Sequence, residues 1–236
     1  MLCKIADLLV EVPDTGDMPS RCKEYLYEGE ATPDIVIRKE LYDLETHWPT
    51  LPEGLAIYME SGMYFYFYLL AHSGMMLHAS AVELDGKAYL FSGNCGAGKS
   101  THTRLWQQVF GERAQVFNDD KPALRYIDGK WYAYGTPWCG KDGINQNKKL
   151  PLAGICFLQQ AKENKIRRLN AKEVLSRVIA QTLFRFKSVG SLDLMLATVD
   201  KLVREIPVFE LENRPEPEAA LLSYETLRRA AEEEGL

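Results

Sequence analysis

The chain has 236 residues, 46% of them hydrophobic and 26% charged, with a formal net charge of −5. That is enough for one large domain, or one domain with a small appendage, and for a core that needs no metal or disulfide staple. No basic stripe is long enough to suggest a nucleic-acid surface, and five scattered cysteines without a CxxC pair indicate neither a zinc site nor a redox motif.

The opening run MLCKIADLLVEVPDTGD carries acids and a proline and does not read as a signal peptide. The most apolar stretch, Met63 to Ala71, is well short of the roughly 20 residues a spanning helix needs. The cytoplasm is the expected location, with neither a membrane nor a nucleic acid as partner. The first fifty residues read as short strands and turns, with Leu8, Val10 and Val12 alternating and PDIVIR following. Pro49, Pro52 and Gly54 then punctuate the chain ahead of a helix expected from about Ile57 to Ala71.

MMLHASAVELDGKAYLFSG predicts two strands joined by a tight turn at Asp85–Gly86. SGNCGAGKSTHTRLWQQVF predicts a loop feeding a helix. A short strand, QVF, and a second hairpin turning at Asp128–Gly129 follow, then a polar loop and a buried strand, GICFLQQ. The last third is expected to be helical. Val174, Leu175, Val178, Ile179, Thr182, Leu183 and Phe186 share one helical face. Leu192, Met195, Leu196, Val199, Leu202, Val203 and Ile206 share another, and Pro217 suits the start of a final helix. The division expected is residues 1–70 as a strand-rich segment packed on the core and residues 71–236 as a phosphate-loop domain.

Gly93-Asn94-Cys95-Gly96-Ala97-Gly98-Lys99-Ser100 matches GxxxxGK[ST] in full, and Thr101 follows it. Glycines let successive backbone N–H groups converge on phosphates, and the following helix adds its positive end. Lys99 brings a mobile charge to the β- and γ-phosphates, while the Ser100 hydroxyl can ligate Mg²⁺. An apolar strand before the loop and a helix after it are the context this motif requires. Cys95 reads as a small filler within it.

Asp119 and Asp120 end the short strand, twenty residues after Lys99. Phosphoryl transfer needs one carboxylate for Mg²⁺ and another for the proton of the attacking hydroxyl. Neighbouring residues at a strand end point in different directions, so one can face the metal and one the acceptor. His78, in the strand leading toward the loop, reads equally as a structural histidine or as a group that tunes a nearby aspartate.

In this order, the histidine, the GNCGAGKS loop and the Asn118–Asp120 run resemble the HPr kinase/phosphorylase family over about Met75 to Gln160. The resemblance implies an α/β fold with a mixed central sheet, similar also to the core of ATP-dependent phosphoenolpyruvate carboxykinase. It also implies ATP, Mg²⁺ and phosphorylation of a serine hydroxyl. Carried over, it makes Asp119 the general base, Asp120 its metal-side neighbour with Ser100, and His78 their adjuster; the order of the two acids stays open. In place of the family's large N-terminal domain some seventy residues of different character are expected, Thr101 stands where it usually has Glu, and about where its RGLGI segment would fall is Gly135–Asn147. The acceptor is therefore open among a protein, a peptide and a small molecule such as free serine, and HPr kinase itself is not expected.

In the replaced segment Trp138 and Lys141 are the candidates for acceptor recognition, one as a rigid surface and one as a cation. Arg104 and Lys121 are further cations within reach of phosphate. The alternative of another class is a nucleotide-dependent binding module with little transfer. The loop reads phosphates and not the base, so ATP and GTP are not distinguished, and a homo-oligomer is left open.

Overall fold

The computed structural model describes residues 1–182 and 189–236. Near the N-terminus, β1 (Leu2–Ile5) and β2 (Leu8–Glu11) pair antiparallel and β3 (Ile35–Val36) joins β2 in parallel. The one-turn helix α1 (Met18–Arg21) lies between β2 and β3 in the chain. A second short helix, α2 (Leu44–His47), is capped by the Asp43 carboxylate, which accepts the Thr46 N–H at 3.2 Å. The expected long helix is α3 (Glu53–Leu69), which starts earlier than anticipated because Pro52 serves as its N-cap. Ile57, Tyr58, Phe65, Tyr66 and Leu69 of α3 are buried in one cluster with Val10, Ile35, Tyr134 and Trp138. The first seventy residues thus share a core with later strands.

The remainder runs β4 (Gly74–Met76), β5 (Ala79–Leu84), β6 (Lys87–Ser92), α4 (Lys99–Phe110), β7 (Ala114–Asp120), β8 (Ala123–Ile127), β9 (Lys130–Tyr134) and β10 (Lys149–Gln160). It ends with β11 (Lys165–Arg168), α5 (Ala171–Gln181), α6 (Val189–Glu205), β12 (Val208–Asn213) and α7 (Pro217–Glu233). Both expected hairpins form. Their central residues take positive φ, 53° and 75° at Asp85–Gly86 and 49° and 81° at Asp128–Gly129, which matches the twist of the flanking strands.

The mixed sheet has the order β4-β8-β9-β10-β6-β5-β7, with β12 on β10 and β11 on β12. β10 is the shared strand. Its first residues pair antiparallel with β9, and from Leu152 it runs parallel to β6. Its far end pairs in parallel with β12 on the other edge. Alternate residues bury on opposite faces. Leu90, Ile155 and Phe157 pack toward α5 and α6, while Tyr89, Phe91, Cys156 and Leu158 pack among Trp106 of α4 and Leu227 of α7. A sheet covered on both faces explains the near-continuous apolar runs of β6 and β10.

Two expectations are corrected here. The last third is not wholly helical, since β11 and β12 complete the sheet. Glu210 within β12 is buried, and Arg167 and Arg177 pair with it, so its acid disguised a core strand. The expected helical faces are also narrower: Val174, Val178, Met195, Val199, Leu202 and Ile206 are buried, whereas Leu175, Ile179 and Leu196 are exposed. Leu183 and Phe186 lie outside the described residues.

Gly62 of α3 is a close-approach site, because a β-carbon there would lie 2.7 Å from the Trp138 ring. Ala ordinarily favours a helix over Gly by about 1 kcal/mol. Here the buried indole cannot yield, and Gly62→Ala is expected to destabilise the protein by about 1–3 kcal/mol, read from a urea denaturation midpoint.

Candidate active site

The glycine loop leaves the end of β6 and enters α4. Gly93, Gly96 and Gly98 have φ of 144°, 79° and 98°. A β-carbon at Gly93 would come within 3.0 Å of both the Ala97 β-carbon and the Leu158 carbonyl oxygen, so this turn is closed to other residues. The Ala97 N–H donates to the Asn94 carbonyl at 3.0 Å, and the His102 N–H starts the helical ladder on the Gly98 carbonyl at 2.8 Å. The N–H groups of Lys99, Ser100 and Thr101 thus have no partner within α4 and sit at its positive end. The Lys99 ammonium folds back on its own loop, donating to the carbonyls of Gly93 at 3.0 Å and Asn94 at 3.4 Å.

The acidic strand β7 does not lie beside the loop strand β6; β5 stands between them. The acids reach the loop because of a bulge. Val82 pairs with Val116 but Ala81 pairs with Asn118, leaving Phe117 as the extra residue. Beyond it Asp119 stands opposite Ser80 and Asp120 opposite Ala79. Ser100 donates its hydroxyl to Asp119 Oδ2 at 2.9 Å. Asp120 turns the other way: His78 Nε2 lies 2.7 Å from its Oδ1, and the Lys121 ammonium pairs with its Oδ2. Burial raises the Asp120 pKa, but the His78 hydrogen bond and the Lys121 charge overcome this and hold the carboxyl far below the usual range. Asp120 also takes φ 99°, a backbone conformation that costs a side-chain-bearing residue on the order of 1–3 kcal/mol. Asn118, fully buried, supports the turn: its side chain donates to the Thr136 carbonyl at 3.0 Å and accepts the Lys121 N–H at 3.2 Å.

His78 is tied in at both ends. Its carbonyl accepts the Ser92 hydroxyl at 2.8 Å, and its N–H donates to the Gln181 carbonyl at 2.7 Å. Residues 135–147 run along the end of β7, with the Gly140 N–H donating to the Asp119 carbonyl at 2.7 Å and the Asp119 N–H to the Ile144 carbonyl at 3.2 Å.

A cavity of about 610 Å³ gathers His78, Cys95, Gly96, Gly98, Lys99, Ser100, Thr101, Asp119, Asp120 and Lys141. Gly93, Asn94 and Ala97 line a neighbouring cavity of about 460 Å³, which shares Cys95 and Gly96 with the first. Trp138 is the exception among the expected site residues. It is buried, stacks on Phe65 with ring centroids 4.7 Å apart, and donates its indole N–H to Ser61 Oγ at 3.0 Å and the Tyr58 carbonyl at 3.1 Å. It therefore anchors the segment in the N-terminal core while Gly140, Lys141 and Asp142 reach the cavity. Arg104 is engaged with Asp142 at 2.7 Å. Sequence reasoning missed Gly140, Asp142 and Gln160 as lining residues. Of these, Gln160 was legible as the polar end of an apolar strand, and its amide donates to the Gly96 carbonyl at 2.8 Å.

No family model matches this chain, and neither does any curated protein. Among solved structures it is similar to the HPr(Ser) kinase/phosphatase from Coxiella burnetii, with 14% identity, 65% of this chain and 88% of that chain covered, and a TM-score of 0.37. Among the described residues, no helix is long and apolar enough to cross a membrane.

Proposed function

We propose that this chain is an Mg²⁺- and ATP-dependent phosphotransferase that moves the γ-phosphoryl group to a hydroxyl acceptor, a serine of a protein or peptide being favoured over a small molecule. The observation that carries this reading is convergence. A glycine loop at a helix N-terminus, the Ser100–Asp119 pair and the His78–Asp120 pair all face one cavity.

In this reading the loop N–H groups and Lys99 hold the phosphates, with the ammonium exchanging its two carbonyl partners for phosphate oxygens. Ser100 and Asp119 would hold Mg²⁺. A hydroxyl and one carboxylate suit an ion that completes its shell with phosphate oxygens and water, and the described residues contain no cluster of three acidic, histidine or cysteine ligands that would cage it. When bound there, the ion would supply charge neutralisation for the phosphates. Asp120, ionised and held by His78, orients the acceptor hydroxyl and takes its proton as the oxygen bonds to the γ-phosphorus and the bond to the ADP oxygen breaks. A carboxylate of such low pKa acts more through orientation than through basicity, which suffices for a loose transition state. These roles reverse the order of the two acids that the family resemblance implied. Lys141 is assigned to the anionic acceptor or to the transferring group.

The test follows γ-labelled ATP mixed with Mg²⁺, the protein and a cell extract separated into protein and small-molecule fractions. Label is expected in one fraction, cut about a hundredfold or more by Lys99→Ala. Label that stays in ATP while Lys99-dependent nucleotide binding persists would move the assignment to a nucleotide-dependent binding module.

A further inference from the structure

The first turn of α4 carries Lys99 and Ser100, yet Asp119 comes from a strand two positions away in the sheet. Something must hold helix and strand at the spacing of the Ser100–Asp119 hydrogen bond. Between them lies a pair of buried hydroxyls that the reaction does not use. Ser80 Oγ on β5 is 3.0 Å from Thr103 Oγ1 on α4, and both residues are buried. Thr103 Oγ1 also lies 3.2 Å from the Ser100 carbonyl and 3.4 Å from that of Lys99. A carbonyl only accepts, so the single Thr103 proton points into the helix turn and the Ser80 proton points to Thr103. The chain of donors therefore runs from the strand to the backbone of the two residues at the head of the helix. Ser80 is also the register partner of Asp119, so the two side chains stand on the same face of the sheet at adjacent positions.

We infer that Ser80 and Thr103 are positioning residues for the metal pair: their hydroxyl link sets the height of the α4 head against β5 and so the spacing of Ser100 and Asp119. The inference rests on the phosphotransferase reading and deepens it. Most buried hydroxyl pairs simply satisfy one another, and such a role would lower stability without touching metal affinity selectively. Support of a metal ligand from behind predicts a selective effect, since removing such partners costs roughly 10–100-fold in metal affinity.

The experiment is calorimetric titration of ADP, with saturating Mg²⁺ and with EDTA, into wild type, Thr103→Val, Thr103→Ser and Ser80→Ala, well below each melting temperature. Thr103→Val is close in shape and removes the hydroxyl, whereas Thr103→Ser keeps it. The expected result is that the enhancement of ADP affinity by Mg²⁺ falls about tenfold in Thr103→Val and Ser80→Ala and returns in Thr103→Ser. Affinity in EDTA should stay within about twofold throughout, because the loop N–H groups and Lys99 are untouched. An unchanged Mg²⁺ enhancement, or equal losses with and without metal, overturns the inference while leaving phosphate binding intact. Should Thr103→Val fail to fold, Ser80→Ala decides, since it leaves no buried group unpaired on the helix side. A wild-type protein that binds no ADP in either condition overturns the phosphotransferase reading and this inference with it.

Discussion

Replacing Asp120 with Asn is expected to lower the rate of phosphoryl transfer by about 10²–10⁴-fold, the range for loss of a positioned acid–base group. Mg²⁺-dependent ADP affinity should remain close to that of the wild type. The separation follows from where the two acids point. Asp120 faces His78, and Asp119 meets Ser100. An asparagine at 120 keeps the shape and can still meet His78, but it neither orients the hydroxyl with a full negative charge nor accepts its proton. Asp119→Asn should behave differently, weakening the Mg²⁺-dependent part of nucleotide affinity as well as turnover. His78 acts through Asp120, so adding His78→Ala to Asp120→Asn should cost little more than Asp120→Asn alone. Single-turnover rates and ADP titrations on the same set of variants check this. If Asp120→Asn transfers phosphate normally and Asp119→Asn does not, the order of the acids is the one the resemblance implied.

Acid is expected to destabilise this protein earlier than its carboxylates would suggest, and His102 is the cause. His102 lies on α4 and is buried, with its ring centroid 4.5 Å from that of Phe91. Its Nε2 is 3.0 Å from Ser223 Oγ on α7. Ser223 also accepts the Trp106 indole N–H at 3.0 Å and donates to the Ala220 carbonyl at 3.0 Å, which uses its one proton. The histidine must then donate from Nε2, leaving Nδ1 as a buried nitrogen without a partner. Burial pushes its pKa down to about 3. As pH falls below the unfolded value near 6.5, the unfolded chain takes up a proton that the folded one refuses. Stability fully present at pH 7 is therefore lost progressively, by about 2 kcal/mol at pH 5. The low pKa of Asp120 acts in the same sense but in a separate, more acid window, because its contribution is present above about pH 4 and lost only below it. The stability gap between wild type and His102→Gln should accordingly narrow by about 2 kcal/mol from pH 7 to pH 5 in urea titrations. A gap that stays constant would mean that His102 is protonated in the folded protein without cost.

Much of this protein is written in local patterns. The glycine loop, the strand before it, the helix after it and both Asp-Gly turns need only residues close in sequence, and each formed where local chemistry required it. The long aromatic helix was legible for the same reason, and Lys99, Ser100 and the acidic pair, singled out together, line one cavity. What depends on distant partners was not. Strict alternation along β7 would set Asn118 and Asp120 on the face of Ala114 and Val116, toward α4. The bulge at Phe117 shifts the phase by one residue and turns Asp119 to that face instead. No local propensity marks that bulge, because it depends on how β7 is matched to β5. Trp138 likewise looked like a contact surface until α3 supplied Gly62 and Phe65 to receive it. Glu210 hid a core strand because the arginines that neutralise it lie 43 and 33 residues away in the chain. In each case residue identity named the chemical group, and packing against remote segments decided which way that group faced.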